Sequence, residues 1–238
     1  MRSLTLYIPL YDAAEYLENS IKSLGEFFLA NVVFVDDGSR DSTLEILAKS
    51  LTGVKFSYQI VRIKKNSGKG SALKQAMGEM VPQTEFVAFT DGELPYGLDV
   101  LRDALNLAVE KQADLVVGER VSRVGQYTRY RGVASKLFRI FLPRKLRFVN
   151  DTQCGLKLFR RDVAEKIFTH LKTDRWVFDA EIFLLAIENN FSIVRIPVNV
   201  RPELVRNGRL RFFSNGFQIL FDLFRVRYYD KKGDYKIS

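Results

Sequence analysis

Through its first half this chain alternates short β-rich runs with longer helix-like stretches, and the β-rich runs end in polar residues. LTLYIPL precedes a helix-like 13–29, VVFVD precedes 42–51, YQIVRI precedes 69–80, EFVAFTD precedes 97–111, and DLVVG closes the series. Parallel neighbours need a crossover between them, so this alternation predicts an α/β fold with a mostly parallel sheet covered by helices. In such sheets ligands bind at the carboxyl ends of the strands. Those ends carry Pro9 to Asp12, Asp36 to Ser39, Asp91 to Glu93 and Gly118 to Arg120, which places the polar residues on one rim.

The second half is less regular. It offers a basic amphipathic stretch at 132–142, a short strand at 156–159, helices at 161–170 and 178–190, a strand at 191–200 and a last helix from about 212 to 229. No repeat, low-complexity tract or Gly/Ser linker interrupts the 238 residues, so a single domain is expected. Within it the expected division is functional, with a nucleotide half at 1–118, an acceptor half at 119–211 and an amphipathic tail at 212–238.

Charge supports that division. Residues 1–118 hold 12 basic and 16 acidic side chains, net −4, whereas 119–238 hold 25 and 12, net +13. From Arg120 to Arg147 there are nine basic residues and no acidic one, interleaved with Tyr127, Tyr130, Phe138 and Phe141. Nucleic acid, anionic lipid or a phosphorylated substrate would each suit such a surface. The single cysteine, Cys154, excludes an internal disulfide and fits a reducing compartment. Asp12 and Glu15 interrupt the N-terminus before a signal-peptide core is built, and no apolar run approaches the roughly 18–20 residues of a spanning helix.

Three segments carry candidate chemistry. VDDGSRDST, from Val35 to Thr43, follows a strand and precedes a helix; it reads as a tight turn at Gly38 with a capping Ser39 or Asp41, or as a strand end where Asp37 bonds a nucleobase or ribose. KNSGKGSALKQA sets Gly68 and Gly70 around Lys69 at a helix start, where backbone N–H groups and the lysine could meet a phosphate. It lacks the spacing of a P-loop. FVAFTDGELP ends a strand in Asp91 and Glu93, two carboxylates that are either solvated loop acids or a platform for a hard divalent cation beside a diphosphate. The one histidine, His170, lies in a helix-like stretch and reads as structural, so no zinc cluster competes.

Taken together, IPLYDAAEYL, VDDGSRDST, KNSGKGSALKQAM, FTDGELP, GERVSR, DTQCGLKLFRRDV and WVFDAEIFLLA resemble the family 2 glycosyltransferases of the GT-A fold. The order is the family's and spans nearly the whole chain; the last two segments look most like the dolichyl-phosphate glucose synthase branch, with the mannose synthases close by. The resemblance implies an inverting transferase that moves a hexose from a nucleotide-diphosphate sugar, UDP-glucose ahead of GDP-mannose, to a polyprenyl phosphate, with Mg2+ or Mn2+. It implies Pro9, Tyr11 and Asp37 at the base and ribose, Glu15 and Lys69 supporting the donor pocket, Asp91 on the donor, and Asp91 with Glu93 on the metal. Asp151 falls at the family's catalytic carboxylate, Arg120, Arg131 and Ser135 at the acceptor phosphate, and Arg209 where a basic residue closes over the diphosphate. Three positions depart from the pattern: Asp12 for Asn, Glu93 for the second Asp, and Glu119 for Ser.

A sugar hydroxyl is the alternative acceptor, and it would require Asp151 to take a proton. Nucleic-acid binding is not expected, because it gives no role to Asp37, Asp91 and Glu93. In the tail, Phe213, Phe217, Leu220, Phe221 and Phe224 recur at helical spacing among Arg209, Arg211, Arg225, Arg227, Lys231 and Lys232. That pattern suits a helix packed on the core or one docked on an anionic membrane surface. The expected location is cytoplasmic, peripheral at the cytoplasmic membrane face.

Overall fold

The computed structural model describes residues 3–26, 31–78, 84–121, 138–201 and 212–237. Among these, seven strands form one sheet: β1 (Leu4–Leu10), β2 (Asn31–Asp36), β3 (Ser57–Arg62), β4 (Phe86–Phe89), β5 (Leu115–Arg120), β6 (Lys157–Arg160) and β7 (Ile193–Val198). Their order is β3-β2-β1-β4-β6-β5-β7. Every neighbouring pair is parallel except at β6, which runs antiparallel to both β4 and β5.

Side chains alternate along a strand, so each central strand feeds two cores. On one face Tyr7, Val33, Val35, Val87, Phe89, Val117 and Phe159 pack against α3 (Lys69–Met77), α5 (Arg161–His170), α6 (Phe178–Glu188) and α7 (Phe212–Lys232). On the other, Leu6, Ile8, Phe34, Ala88, Val116 and Leu158 meet α1 (Leu17–Glu26), α2 (Thr43–Ser50) and α4 (Asp99–Glu110). Leu17, Ile21 and Leu24 on α1, and Leu101, Ala104 and Ala108 on α4, supply the buried stripes at three- and four-residue spacing. The result is a three-layer α/β sandwich.

Predicted strands and observed ones differ by one or two residues at their ends. Helix α1 differs more, beginning at Leu17 rather than 13. The backbone N–H of Ala13 donates to Thr43 Oγ1 at 2.7 Å and that of Ala14 to Asp41 Oδ2 at 3.1 Å. Residues 13–16 are therefore tied to the β2–α2 loop and form a turn. The basic stretch at 132–142 lies outside the described residues up to 137; 138–141 are helical.

Reversing β6 matters for the site. Lys157, its first residue, pairs with Phe89 of β4 and Val117 of β5, both near the carboxyl ends of their strands. The segment 151–156 consequently arrives at the same rim as the ends of β1, β2, β4 and β5.

Candidate active site

Asp37 follows directly on β2 and is buried. Its Oδ1 accepts from Ser67 N at 2.7 Å and Ser67 Oγ at 3.0 Å, and its Oδ2 from Gly68 N at 2.8 Å. It thus moulds the loop before α3, while Oδ2, holding one bond, keeps capacity for a second donor. Gly38 in this turn has φ +72°, and an added Cβ would meet Asn66 N at 2.8 Å, so the tight turn is real as well.

The start of α3 is walled by residues 174–178. Gly68 has φ +97° and a Cβ there would lie 2.7 Å from the Asp174 carbonyl oxygen; at Gly70 it would strike Phe178 at 2.8 Å. Ser71 N donates to Asp174 O at 2.9 Å, and Arg175 Nη1 to Asn66 Oδ1 at 3.3 Å. The N–H of the cap residue Gly68 and that of Ser71 are therefore engaged within the protein, and the Lys69 side chain reaches the rim.

Lys69 Nζ lies 2.5 Å from Asp91 Oδ1, with Phe89 and Phe178 rings at 5.2 and 5.9 Å. Burial lowers the affinity of this amine for its proton, but the charges of Asp91 and Asp179 outweigh it and hold the ammonium form above its usual range. Asp91 is the mirror image: burial pushes its carboxyl up, and Lys69, Lys157 and Arg120 bring it below the usual value. Gly155 packs so closely under this carboxylate that a Cβ would stand 2.0 Å from Oδ2. Glu93 follows in a turn closed by Leu94 N on Asp91 O at 2.9 Å, with Gly92 O held by Ser20 Oγ at 2.8 Å.

Across the rim, Asp151 and Arg120 form a forked pair, Nε to Oδ2 at 2.6 Å and Nη2 to Oδ1 at 2.7 Å, with Gln153 N on Oδ1 at 3.1 Å. Burial raises the Asp151 carboxyl, and the Arg120 hydrogen bonds and charge more than reverse this, leaving it below the ordinary range. The same bonds push the Arg120 guanidinium up. Pro9 and Tyr11 flank the end of β1, with Tyr11 exposed and Glu15 exposed beyond it. Arg131, Ser135 and Arg209 lie outside the described residues.

Among the described residues, two buried side-chain atoms have no hydrogen-bond partner: Asp36 Oδ2, an acceptor at the end of β2, and Gln153 Nε2, a donor beside Asp151. Both belong to segments that end at this rim. Neither stands out in the sequence, since only contacts distinguish Asp36 from Asp37. Lys157 and Asp179, a buried ion pair at the same rim, carry no sequence signal beyond their membership of longer motifs. A cavity of about 570 Å³ near Glu85, Arg160 and Glu165 opens at the opposite end of β4, away from this chemistry.

As to metal, no group of three or more His, Cys, Asp or Glu side chains converges among the described residues. Asp91 and Glu93 fit the chemistry of a small hard cation that takes one or two carboxylates and completes its shell with substrate phosphate and water.

A three-layer α/β sandwich with a mostly parallel seven-stranded sheet and an acid-tipped β4 is the architecture of a GT-A fold. The profile of Glycosyl transferase family 2 matches residues 5–168, and the chain belongs to that family. It is 28% identical to a dolichyl-phosphate beta-glucosyltransferase of Dictyostelium discoideum, covering 99% of this chain and 77% of that one. Against the human protein of the same name it is 28% identical over 93% and 70%, and against that of Saccharomyces cerevisiae 29% over 82% and 62%. Among solved structures, glucosyl-3-phosphoglycerate synthase from Mycobacterium tuberculosis, crystallised with Mn2+, UDP and phosphoglyceric acid, superposes with a TM-score of 0.72 at 16% identity, over 95% and 78% of the two chains.

Proposed function

We propose that this chain is an inverting transferase that moves glucose from UDP-glucose to a polyprenyl phosphate, with Mg2+ or Mn2+. The observation that carries the acceptor assignment is the Arg120–Asp151 fork. A carboxylate with both oxygens on one guanidinium, and with its pKa depressed, is a weak base. An acceptor that brings its own negative charge needs no base: a phosphate monoester has its second pKa at about 6 and is largely ionised near neutrality. Nε and one N–H of Nη2 are used by Asp151, so the Nη1 edge of Arg120 remains for an anion among the described residues, with Arg131 and Ser135 completing the grip.

On the donor side, Pro9, Tyr11 and Asp37 line the base and ribose, Glu15 supports the donor pocket, and Arg209 closes over the diphosphate. A divalent ion on Asp91 and Glu93 would neutralise charge on that diphosphate. Lys69, kept protonated beside Asp91, offers a fixed positive charge where negative charge develops on the leaving group. The phosphate oxygen attacks the anomeric carbon from the face opposite the nucleotide, so the configuration inverts. Most of the acceleration is positioning and preorganised charge.

The alternative, a hydroxyl acceptor, needs Asp151 freed from Arg120 to act as base. Kinetics of Asp151→Asn separate the two. A phosphate acceptor predicts a loss of turnover of about tenfold or less, whereas removal of a general base costs about 10²–10⁴-fold. A loss in the upper range would refute the phosphate assignment. The protein is further proposed to work at an anionic, cytoplasmic membrane face: no helix among the described residues is long and apolar enough to cross a membrane, and α7 presents aromatic side chains outward.

A further inference from the structure

The Lys157–Asp179 ion pair has no part in the steps above, yet both side chains are withdrawn from water, at 1% and 9% exposure. An apolar pair of the same volume would be no less stable in general, because desolvation offsets the attraction between buried charges. Volume alone therefore does not account for the charges, and their surroundings supply a reason. Lys157 Nζ donates to Asp179 Oδ1 at 2.5 Å and to the carbonyl oxygen of Cys154 at 2.8 Å. Cys154 leads directly into Gly155, the glycine against which the Asp91 carboxylate is seated. Gly155 N is fixed in turn by the Tyr96 hydroxyl oxygen at 3.1 Å.

Asp179 belongs to the opposite wall. It follows Phe178, which fills the space over Gly70 and lies with its ring centroid 5.9 Å from Lys69 Nζ. Between the walls the Phe89 ring carries Lys69 Nζ at 5.2 Å and Lys157 Nζ at 5.4 Å from its centroid. The pair thus joins the turn beneath Asp91 to the helix start behind Lys69. It links the segments 151–161 and 176–186, to which, apart from Asp151, the transfer chemistry itself gives no role.

We propose that Lys157 and Asp179 are positioning residues, a buried clamp that fixes Asp91 and Lys69 at the separation the donor diphosphate requires, without touching substrate. This rests on the reading of Asp91 as the donor carboxylate.

The test is the double variant Lys157→Met/Asp179→Leu in the full-length chain. The clamp predicts a Tm at or above that of the unaltered protein, an affinity for UDP with Mn2+ that falls about tenfold by calorimetry, and a kcat that falls about 10–100-fold, as for other supporting residues around a site. The acceptor KM should stay within about twofold, a split that mere loss of folded protein would not produce. If the double variant does not fold, Asp179→Asn keeps the shape and one acceptor oxygen, and the same fall in UDP affinity is expected of it. Wild-type UDP affinity and kcat in whichever variant folds would overturn the clamp. Failure of the unaltered protein to bind UDP with Mn2+ or to transfer from any nucleotide sugar would instead overturn the functional reading, and the clamp with it.

Discussion

Asp151 and Asp91 are both carboxylates held ionised by neighbouring cations and each bonded directly to one of them, but the bonded partners differ in kind. Lys69 meets Asp91 through one Nζ at 2.5 Å, leaving Oδ2 toward Gly155, whereas Arg120 occupies both oxygens of Asp151. The first arrangement leaves a carboxylate able to take a further ligand; the second locks it. The lock has a pH signature. Because the Asp151 pKa is depressed in the folded chain, its contribution to stability is present above the unfolded value, about 3.9, and disappears as pH falls through the lower folded value. Asp151→Asn should therefore lower Tm at pH 7, with the gap to the unaltered protein shrinking below about pH 4. A gap of equal size at pH 7 and pH 3 would mean that the pair does not exist as an ion pair. Asp91, Asp151 and Arg120 each stand in a motif that the sequence displays. Their pairing was not legible there, because Arg120 and Asp151 stand 31 residues apart and only the fold brings them together.

At the scale of elements, α7 has two apolar stripes. Ile219, Leu223 and Val226 face the core, while Phe217, Phe221, Phe224 and Tyr228 face out, Phe217 at 89% exposure. Phe224 also meets Phe141, which joins this stripe to the basic segment around Arg139 and Arg144. The helix is fixed in place by Arg225 Nη2 on Lys172 O at 3.0 Å and by the Tyr235 hydroxyl on buried Glu181 at 2.9 Å. In the proposed membrane docking, these exposed aromatic rings beside arginines would enter the lipid interface. Vesicles containing anionic lipid should sediment the protein at low salt and release it at high salt. Burying one Phe is worth about 1.5–3 kcal/mol, so Phe217→Ser/Phe221→Ser/Phe224→Ser should weaken binding by well over tenfold with Tm nearly unchanged. Leu223→Ala should do the reverse, costing about 2–5 kcal/mol of stability and leaving vesicle binding intact in the folded fraction. Triple-variant sedimentation equal to the unaltered protein's would remove α7 as the anchor. The sequence displayed the apolar periodicity of α7 but could not divide it between core and solvent, since both stripes repeat at the same spacing. Nor could it give the direction of β6, whose four residues contain no mark of which way a strand runs.

For the molecule as a whole, the proposed function assigns the donor rim to the acidic half and the acceptor side to the basic half, and β6, from the second half, is inserted in the sheet between β4 and β5. The strand-and-helix alternation made the parallel half legible, because each crossover there is local. The rest depended on long-range pairing, as in Lys157 with Asp179 and Arg175 with Asn66, which no local pattern encodes. The proposed acceptor, anionic and lipid-borne, suits the net basic charge of the second half and the outward aromatic stripe of α7. The most direct measurement offers polyprenyl phosphate and a matched neutral glycoside side by side, with labelled UDP-glucose and Mn2+ and the purified full-length chain. The account predicts label on the polyprenyl phosphate and none on the glycoside. Label on the glycoside alone would contradict it.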